Sequence, residues 1–112
     1  MPHDDTYLLH IVLAARKIVR ITAGMTESDF VENDVVQDSV IRQISIIGEA
    51  ARNISESFRE IHHTIPWHEM IGMRHRLIHD YTRIDLGKVW LTVRKDIPHI
   101  VRLLEPLVPP ED

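Results

Sequence analysis

The segment Arg74-His75-Arg76-Leu77-Ile78-His79-Asp80-Tyr81 gathers permanent cations, a group that titrates near neutral pH and a phenol. These are the parts needed to cut a phosphodiester without a metal. An Arg guanidinium grips phosphate oxygens through a bidentate fork. A His, with a reference pKa of about 6.5, moves protons near neutral pH. On RNA, His79 is the candidate base that activates a 2′-hydroxyl against the adjacent phosphorus. Arg74 is the candidate stabiliser of charge building on the non-bridging oxygens. The leaving 5′-oxygen also needs a proton, and one His cannot easily serve both ends at once. A second His79, supplied by a two-fold partner, would complete the site and leave a 2′,3′-cyclic phosphate product.

The Arg-x4-His spacing alone carries little weight. The same chain repeats it as Arg94…His99, and ten Arg with eight His supply it readily by chance. Two features single out the first copy. Tyr81 follows His79 by two residues, where Val101 stands after His99. The first copy also reaches a helix end and a turn, whereas Pro98 places the second inside a helix. The second copy is therefore read as structural. His75, Arg76 and Arg83 flank the motif and are candidate substrate contacts, with Tyr81 a further one. Asp80 would repel phosphate and is expected to face outward.

A metal site is the sharpest rival. His75 and His79 are four apart, and His68 lies seven residues before His75, so three imidazoles fall near one helical face. No carboxylate lies between His75 and His79, and Arg74 and Arg76 would oppose a dication. No metal or cofactor is assigned.

The elements that must hold these residues all read as helix. Leu8, Ile11, Val12, Ala15, Ile18, Val19 and Thr22 recur at helical spacing, with Asp5 or Thr6 as the cap and Gly24 as the stop. Thr26 to Asp29 resembles a capping box, opening a short helix to about Glu32. Asp34, with Gln37 three residues on, opens a third whose stripe runs unbroken from Val36 to Phe58. Residues 60–65, with His62 and His63, read as a solvent-facing loop. Pro66 suits the first turn of a fourth helix running to about Asp80. Asp85 caps a fifth, to about Glu105, which Pro98 should kink near Asp96 or Ile97. No strand signal is present. The expectation is one all-α domain over 1–112, a four- to five-helix up-and-down bundle ordered from about 6 to 105, with a Pro-rich tail at 106–112. Ile41, Ile46 and Ala50 widen the apolar arc of the third helix. That width is read as a second face for another copy of the chain, hence a homodimer. Trp67 and Trp90 are read as core rather than as RNA-stacking platforms. Glu49, at the margin of the arc, is read as exposed or as the partner of an Arg at the dimer seam.

Composition sets limits. With 112 residues the chain can bury a real core, and with no cysteine it can form neither a disulfide nor a zinc–thiolate site. No apolar run is long enough to span a membrane and the opening residues are polar, so a cytoplasmic protein is expected. A net charge of −4 argues against broad, non-specific nucleic-acid binding, so any RNA contact must come from a local basic patch.

With Tyr81 included, Arg74-x4-His79-x-Tyr81, preceded by Ile71-Gly72-Met73, resembles the signature of the HepT-like toxins of the HEPN superfamily. Ile46-Ile47-Gly48-Glu49-Ala50-Ala51, Pro66-Trp67 and Asp96-Ile97-Pro98 match the same family elsewhere, from about Leu8 to Leu104. The family often has Asn where this chain has His75. The resemblance implies an all-α homodimeric ribonuclease, the toxin of a toxin–antitoxin pair whose partner is a minimal nucleotidyltransferase. It also implies that this antitoxin can transfer AMP onto Tyr81. A different class remains open beside it: a non-catalytic, nucleotide-binding partner subunit of a nucleotidyltransferase complex, with Arg74 and His79 as phosphate ligands.

Overall fold

The computed structural model describes residues 2–80 and 83–110. The first helix, α1, spans Pro2–Thr22 and buries Leu8, Ile11, Val12, Ala15 and Ile18. It begins earlier than its expected cap. Neither Asp5 nor Thr6 is the N-cap, because both lie inside the helix. Asp4, buried in the first turn, turns to a distant partner instead. Its Oδ1 accepts from the backbone N–H of Ser55 at 2.8 Å and its Oδ2 from the Ser55 hydroxyl at 2.7 Å. Gly24 ends the segment in the left-handed region, with φ 76°.

The short helix α2 (Glu27–Val31) carries the expected capping box. Thr26 Oγ1 accepts from Asp29 N at 3.1 Å, and Asp29 Oδ2 accepts from Thr26 N at 3.0 Å. The long helix α3 (Asp34–Asn53) is capped by Asn33, whose side chain accepts from Val36 N, rather than opened by Asp34 as a cap. It stops at Asn53, short of Phe58. Ile54 turns extended, and Ser55 caps a separate helix α4 (Glu56–Ile61) by accepting from Phe58 N at 3.2 Å. The apolar stripe continued across a break that its periodicity does not reveal. The same helix occupies the start of the segment expected as a loop, with His62 as its C-cap.

Helix α5 spans Trp67–Leu77, with Pro66 at the N-cap. It ends three residues before the expected Asp80. Ile78–Asp80 form a strand, β1, paired antiparallel with β2 (Arg83–Ile84), so the reading that no strand exists is corrected. Ile78 is β-branched and buried, and it pairs with Ile84 across the ladder, so burial and strand pairing favour the extended backbone there. The last helical carbonyls still find donors: Ile78 N–H reaches Arg74 O, and Asp85 N–H reaches Leu77 O at 3.1 Å. The strands are a small addition to an all-α bundle.

Asp85 caps α6 (Leu86–Leu91) as expected, accepting from Lys88 N at 3.1 Å. The helix then widens into a π segment, Thr92–Asp96, before α7 (Ile97–Leu104). Pro98 accounts for this disturbance. It lacks an N–H for the carbonyl four residues back, and its ring crowds that carbonyl. The Ile97 N–H accordingly bonds five residues back, to Thr92 O. The tail opens with a 3-10 turn, Glu105–Leu107, and Leu107 and Val108 pack against the core, so at least this part is not the frayed end expected.

Helix α3 is central, with α1 packed on one side and α5 on the other. That placement accounts for its wide arc: Ala50 is buried and Ile41 and Ile46 lie against the core within the chain. The width therefore gives no separate support for a dimer. At Gly48 the backbones of α3 and α5 nearly touch. A Cβ there would lie 3.3 Å from the carbonyl oxygens of both Met70 and Ile71.

Two outcomes follow from these contacts. Gly48→Val should destabilise the fold by about 1–3 kcal/mol, because two backbone carbonyls cannot yield as a side-chain tip would. Chemical denaturation measures it, and an unchanged midpoint would refute the close-approach argument. Burial works to raise the Asp4 pKa, but the side-chain and backbone hydrogen bonds from Ser55 outweigh it and, with His3, hold it below the ordinary 3.8. A depressed carboxylate stabilises the fold above its unfolded pKa and loses that contribution as pH falls through the folded value. Asp4→Asn should therefore cost about 1–3 kcal/mol near neutral pH. The gap in Tm to the parent should close as pH drops below 3.8.

Candidate active site

The motif is divided between two kinds of backbone. Arg74 sits exposed in the last turn of α5, together with exposed His75 and Arg76. Three basic residues at a helix C-terminus complement the partial negative charge of its free carbonyls. That turn is held from below by Trp67, Met70, Met73 and Leu77, all buried. Trp67 is core, as expected, and its Nε1 donates to His62 O at 3.0 Å. His62 stacks on Phe58 with ring centroids 4.4 Å apart, so it is half-buried rather than solvent-facing; His63 is exposed.

His79 lies beyond the helix, and only its backbone is described. In the ladder, Ile78 faces Ile84 and Asp80 faces Arg83. Two steps on β1 thus match one on β2, which leaves His79 as the extra residue of a bulge. Bulges re-aim a side chain relative to the strand. His79 is consequently placed by the strand and not by the continuous helix to Asp80 that the sequence suggested. Tyr81, expected as substrate contact and modification site, lies outside the described residues, as does the side chain of Asp80. Arg83 is exposed on β2 and engaged in an interaction of its own.

Arg76 points back along its own helix. Its Nη1 donates to Glu69 O at 3.1 Å, and a Cβ on Gly72 would lie 3.3 Å from that same nitrogen. Gly72 thus leaves room for the guanidinium. Arg76 also borders two clefts. One, of about 350 Å³, is lined by Met70, Met73, Asp96 and His99 among others. The second, of about 360 Å³, is lined by Arg76, Leu77, Lys88, Leu91, Thr92, Lys95 and Asp96. A larger cleft, about 680 Å³, lies elsewhere, between α4 and the start of α5, and carries Glu56, Glu60 and Glu69 beside Arg59, His63 and His68. Its mixed charge, with three carboxylates, suits a phosphate less well than the cationic end of α5.

Among the described residues no three His, Asp or Glu side chains are placed to hold a metal ion. The His68, His75, His79 set includes a side chain outside that statement. Arg94, of the second Arg-x4-His pair, lies over the Trp90 ring at 5.6 Å, in line with a structural role. Trp90 itself is buried against Phe30, with ring centroids 5.4 Å apart. Glu49 is exposed and meets Arg52 of its own helix at 3.5 Å. None of the described helices is long and apolar enough to cross a membrane.

Comparison with known proteins adds the decisive observation: residues 11–107 match the sequence profile of the family described as "Ribonuclease HepT-like". The chain belongs to the HepT-like ribonuclease family. Among its relatives, the "Probable ribonuclease HepT" of Thermococcus cleftensis is 41% identical over 105 residues, covering 94% of each chain. The "Putative RNase" of Caldanaerobacter subterraneus is 34% identical, with 94% of each covered. The "Gamma-glutamylcyclotransferase and putative RNase" of Methanocaldococcus jannaschii is 44% identical over 90% of this chain, which spans only 47% of that protein. No solved structure matches significantly. The match runs through α3, α5 and α7, so this HepT-like chain carries the resemblance over its whole bundle and not in the motif alone.

The two glycines of α3 and α5 predict opposite responses. At Gly72 a Cβ would meet the end of a flexible Arg side chain rather than backbone. Gly72→Ala should raise stability by about 0.5–1 kcal/mol, as expected for a helix interior. Thermal melting of this variant beside Gly48→Ala distinguishes them: equal shifts in both would contradict the assignment of contacts.

Proposed function

We propose that this protein is a metal-independent endoribonuclease acting through Arg74 and His79, as the toxin of a toxin–antitoxin pair. Membership of the HepT-like family together with an intact Arg74…His79 pair carries this reading. The exposed cationic end of α5 supports it, since that is where a phosphate would be met by Arg74 and by His79 on the following strand.

In the proposed reaction His79 takes the proton of the 2′-hydroxyl. The 2′-oxygen attacks phosphorus, and the bond from phosphorus to the 5′-oxygen breaks. Arg74 neutralises charge on the non-bridging oxygens. The leaving 5′-oxygen takes a proton from the partner subunit's His79, so the complete site belongs to a homodimer. Products are a 2′,3′-cyclic phosphate and a 5′-hydroxyl. His75, Arg83 and Tyr81 are proposed to contact the substrate, Arg76 with them. The proposed antitoxin, a minimal nucleotidyltransferase, silences the enzyme by transferring AMP to Tyr81, which places a bulky anion beside the catalytic groups.

His79→Ala should reduce cleavage of single-stranded RNA by about 10²–10⁴-fold. Arg74→Ala should reduce it by about 10²–10³-fold. Both variants should keep their helical circular dichroism and their sedimentation as dimers, and parent activity should survive chelator. Cleavage that persists in His79→Ala, or a 3′-phosphate formed with no cyclic intermediate, overturns the mechanism. Retained partner binding with no cleavage by the parent would favour the non-catalytic subunit instead. Co-incubation with the neighbouring nucleotidyltransferase and ATP should add one AMP to the parent and none to Tyr81→Phe, read by intact mass.

A further inference from the structure

We infer that the cleft between the end of α5 and the face of α6 and the π segment is a track for RNA backbone phosphates, built by Arg76, Lys88 and Lys95. This rests on the ribonuclease reading above.

The chain has only three lysines, Lys17, Lys88 and Lys95, and two of them line this one cleft with Arg76. Among the described residues, Asp96 is the one acidic side chain in its wall. On a chain of net charge −4, a cleft with three cations against one anion is a local reversal of sign. Arg76 comes from α5 and the two lysines from α6 and the π segment that continues it, so the packing of α5 beside α6 brings the three together.

The cations are also arranged lengthwise. Lys88, Leu91, Thr92 and Lys95 follow each other at steps of three, one and three, which puts them on one face of the helix. At about 1.5 Å per residue, the seven steps from Lys88 to Lys95 span roughly 10 Å. That is longer than a single phosphate group and suits successive phosphates of a strand better than one compact anion. Leu91, which is 55% exposed, offers an apolar floor between them for a ribose or base face. Both lysines are exposed and can reach into solvent. Arg76 spends part of its guanidinium on Glu69 O, and its other N–H groups stay available as donors.

The track begins at the end of the motif helix. Arg76 and Leu77, which form one wall, are the last two residues of α5. Arg76 stands two positions after Arg74 and so on the other side of the helix, and the track runs from that side along α6 toward the π segment, past Lys88 and Lys95. The π segment supplies Thr92, Lys95 and Asp96 to the wall. The sequence conceals this arrangement because Lys95 stands between Arg94 and Asp96, which makes that stretch look mixed in sign. In the fold Arg94 is drawn to Trp90 and only Lys95 and Asp96 line the cleft.

The test is direct binding of a fluorescent single-stranded RNA to His79→Ala protein, with and without Lys88→Gln/Lys95→Gln. Arg102→Gln serves as a control for loss of charge elsewhere on the surface. Removing two phosphate contacts should weaken binding roughly tenfold or more. It should lower the slope of log Kd against log salt by about 1.4, at about 0.7 per contact on a single strand. In the active protein the double variant should raise KM several-fold with kcat nearly retained, and Arg102→Gln should change neither. Parent-like affinity and salt slope in the double variant overturn the track even if cleavage is confirmed. If the parent cleaves nothing yet binds RNA with the predicted loss in the double variant, the track stands and the enzyme reading falls. Displacement of RNA by AMP at equal nucleotide concentration would overturn a strand track in favour of a mononucleotide pocket.

Discussion

The approach of α5 to α3 at Gly48 is the constraint on which the rest depends. Two helices separated by side chains can slide by fractions of a turn at modest cost. Two helices meeting backbone to backbone, with 3.3 Å between a hypothetical Cβ and two carbonyls, have far less freedom. The contact fixes how deep α5 sits, and Trp67, Met70, Met73 and Leu77 then lock its rotation. Arg74 inherits its position from that packing. The paired carboxylate of Asp4 acts just beyond the C-terminus of α3, tying the first turn of α1 to the break at Ser55. Together the contacts hold the C-terminal part of the central helix against α5 and α1.

Electrostatics divides the molecule in a way that net charge hides. An acidic total keeps the body repulsive to polyanions, while the last turn of α5 collects Arg74, His75 and Arg76 around a helix terminus that favours cations. The cleft of about 680 Å³ between α4 and α5, with Glu56, Glu60 and Glu69 beside Arg59, His63 and His68, lies at the opposite end of the same helix. One helix thus presents a mixed, carboxylate-rich start and a cationic end.

How much of this could be read from the sequence depends on the range of each signal. Caps act over three or four residues, so the box at Thr26 and the cap at Asp85 were legible. Pro98 announced its disturbance because its covalent geometry acts on the carbonyl four residues back. The break at Ser55 was not legible, since hydrophobic spacing persists through it and the carboxylate that stabilises it comes from Asp4. The end of α5 was missed for a related reason. Val and Ile are tolerated in helices, and it is the tertiary burial of Ile78 and its pairing with Ile84 that draw the chain into a strand. The motif residues could be listed in advance, but their division between helix and bulged strand could not. The convergence of Lys88 and Lys95 on Arg76 was hidden too, because it joins α5 to α6.

That division separates the motif in stability as well as in geometry. Arg74 belongs to a helix packed on the bundle core through Trp67, Met70, Met73 and Leu77. The backbone of His79 belongs to a two-stranded ladder, a kind of structure that is marginal alone and here leans on Ile78 and one bond from Asp85 to Leu77. Amide hydrogen exchange would register the halves on separate free-energy scales, slow and global for one, faster and local for the other. The two residues proposed to act together thus answer to different parts of the fold: Arg74 to the packing of the bundle, His79 to a short ladder at its margin.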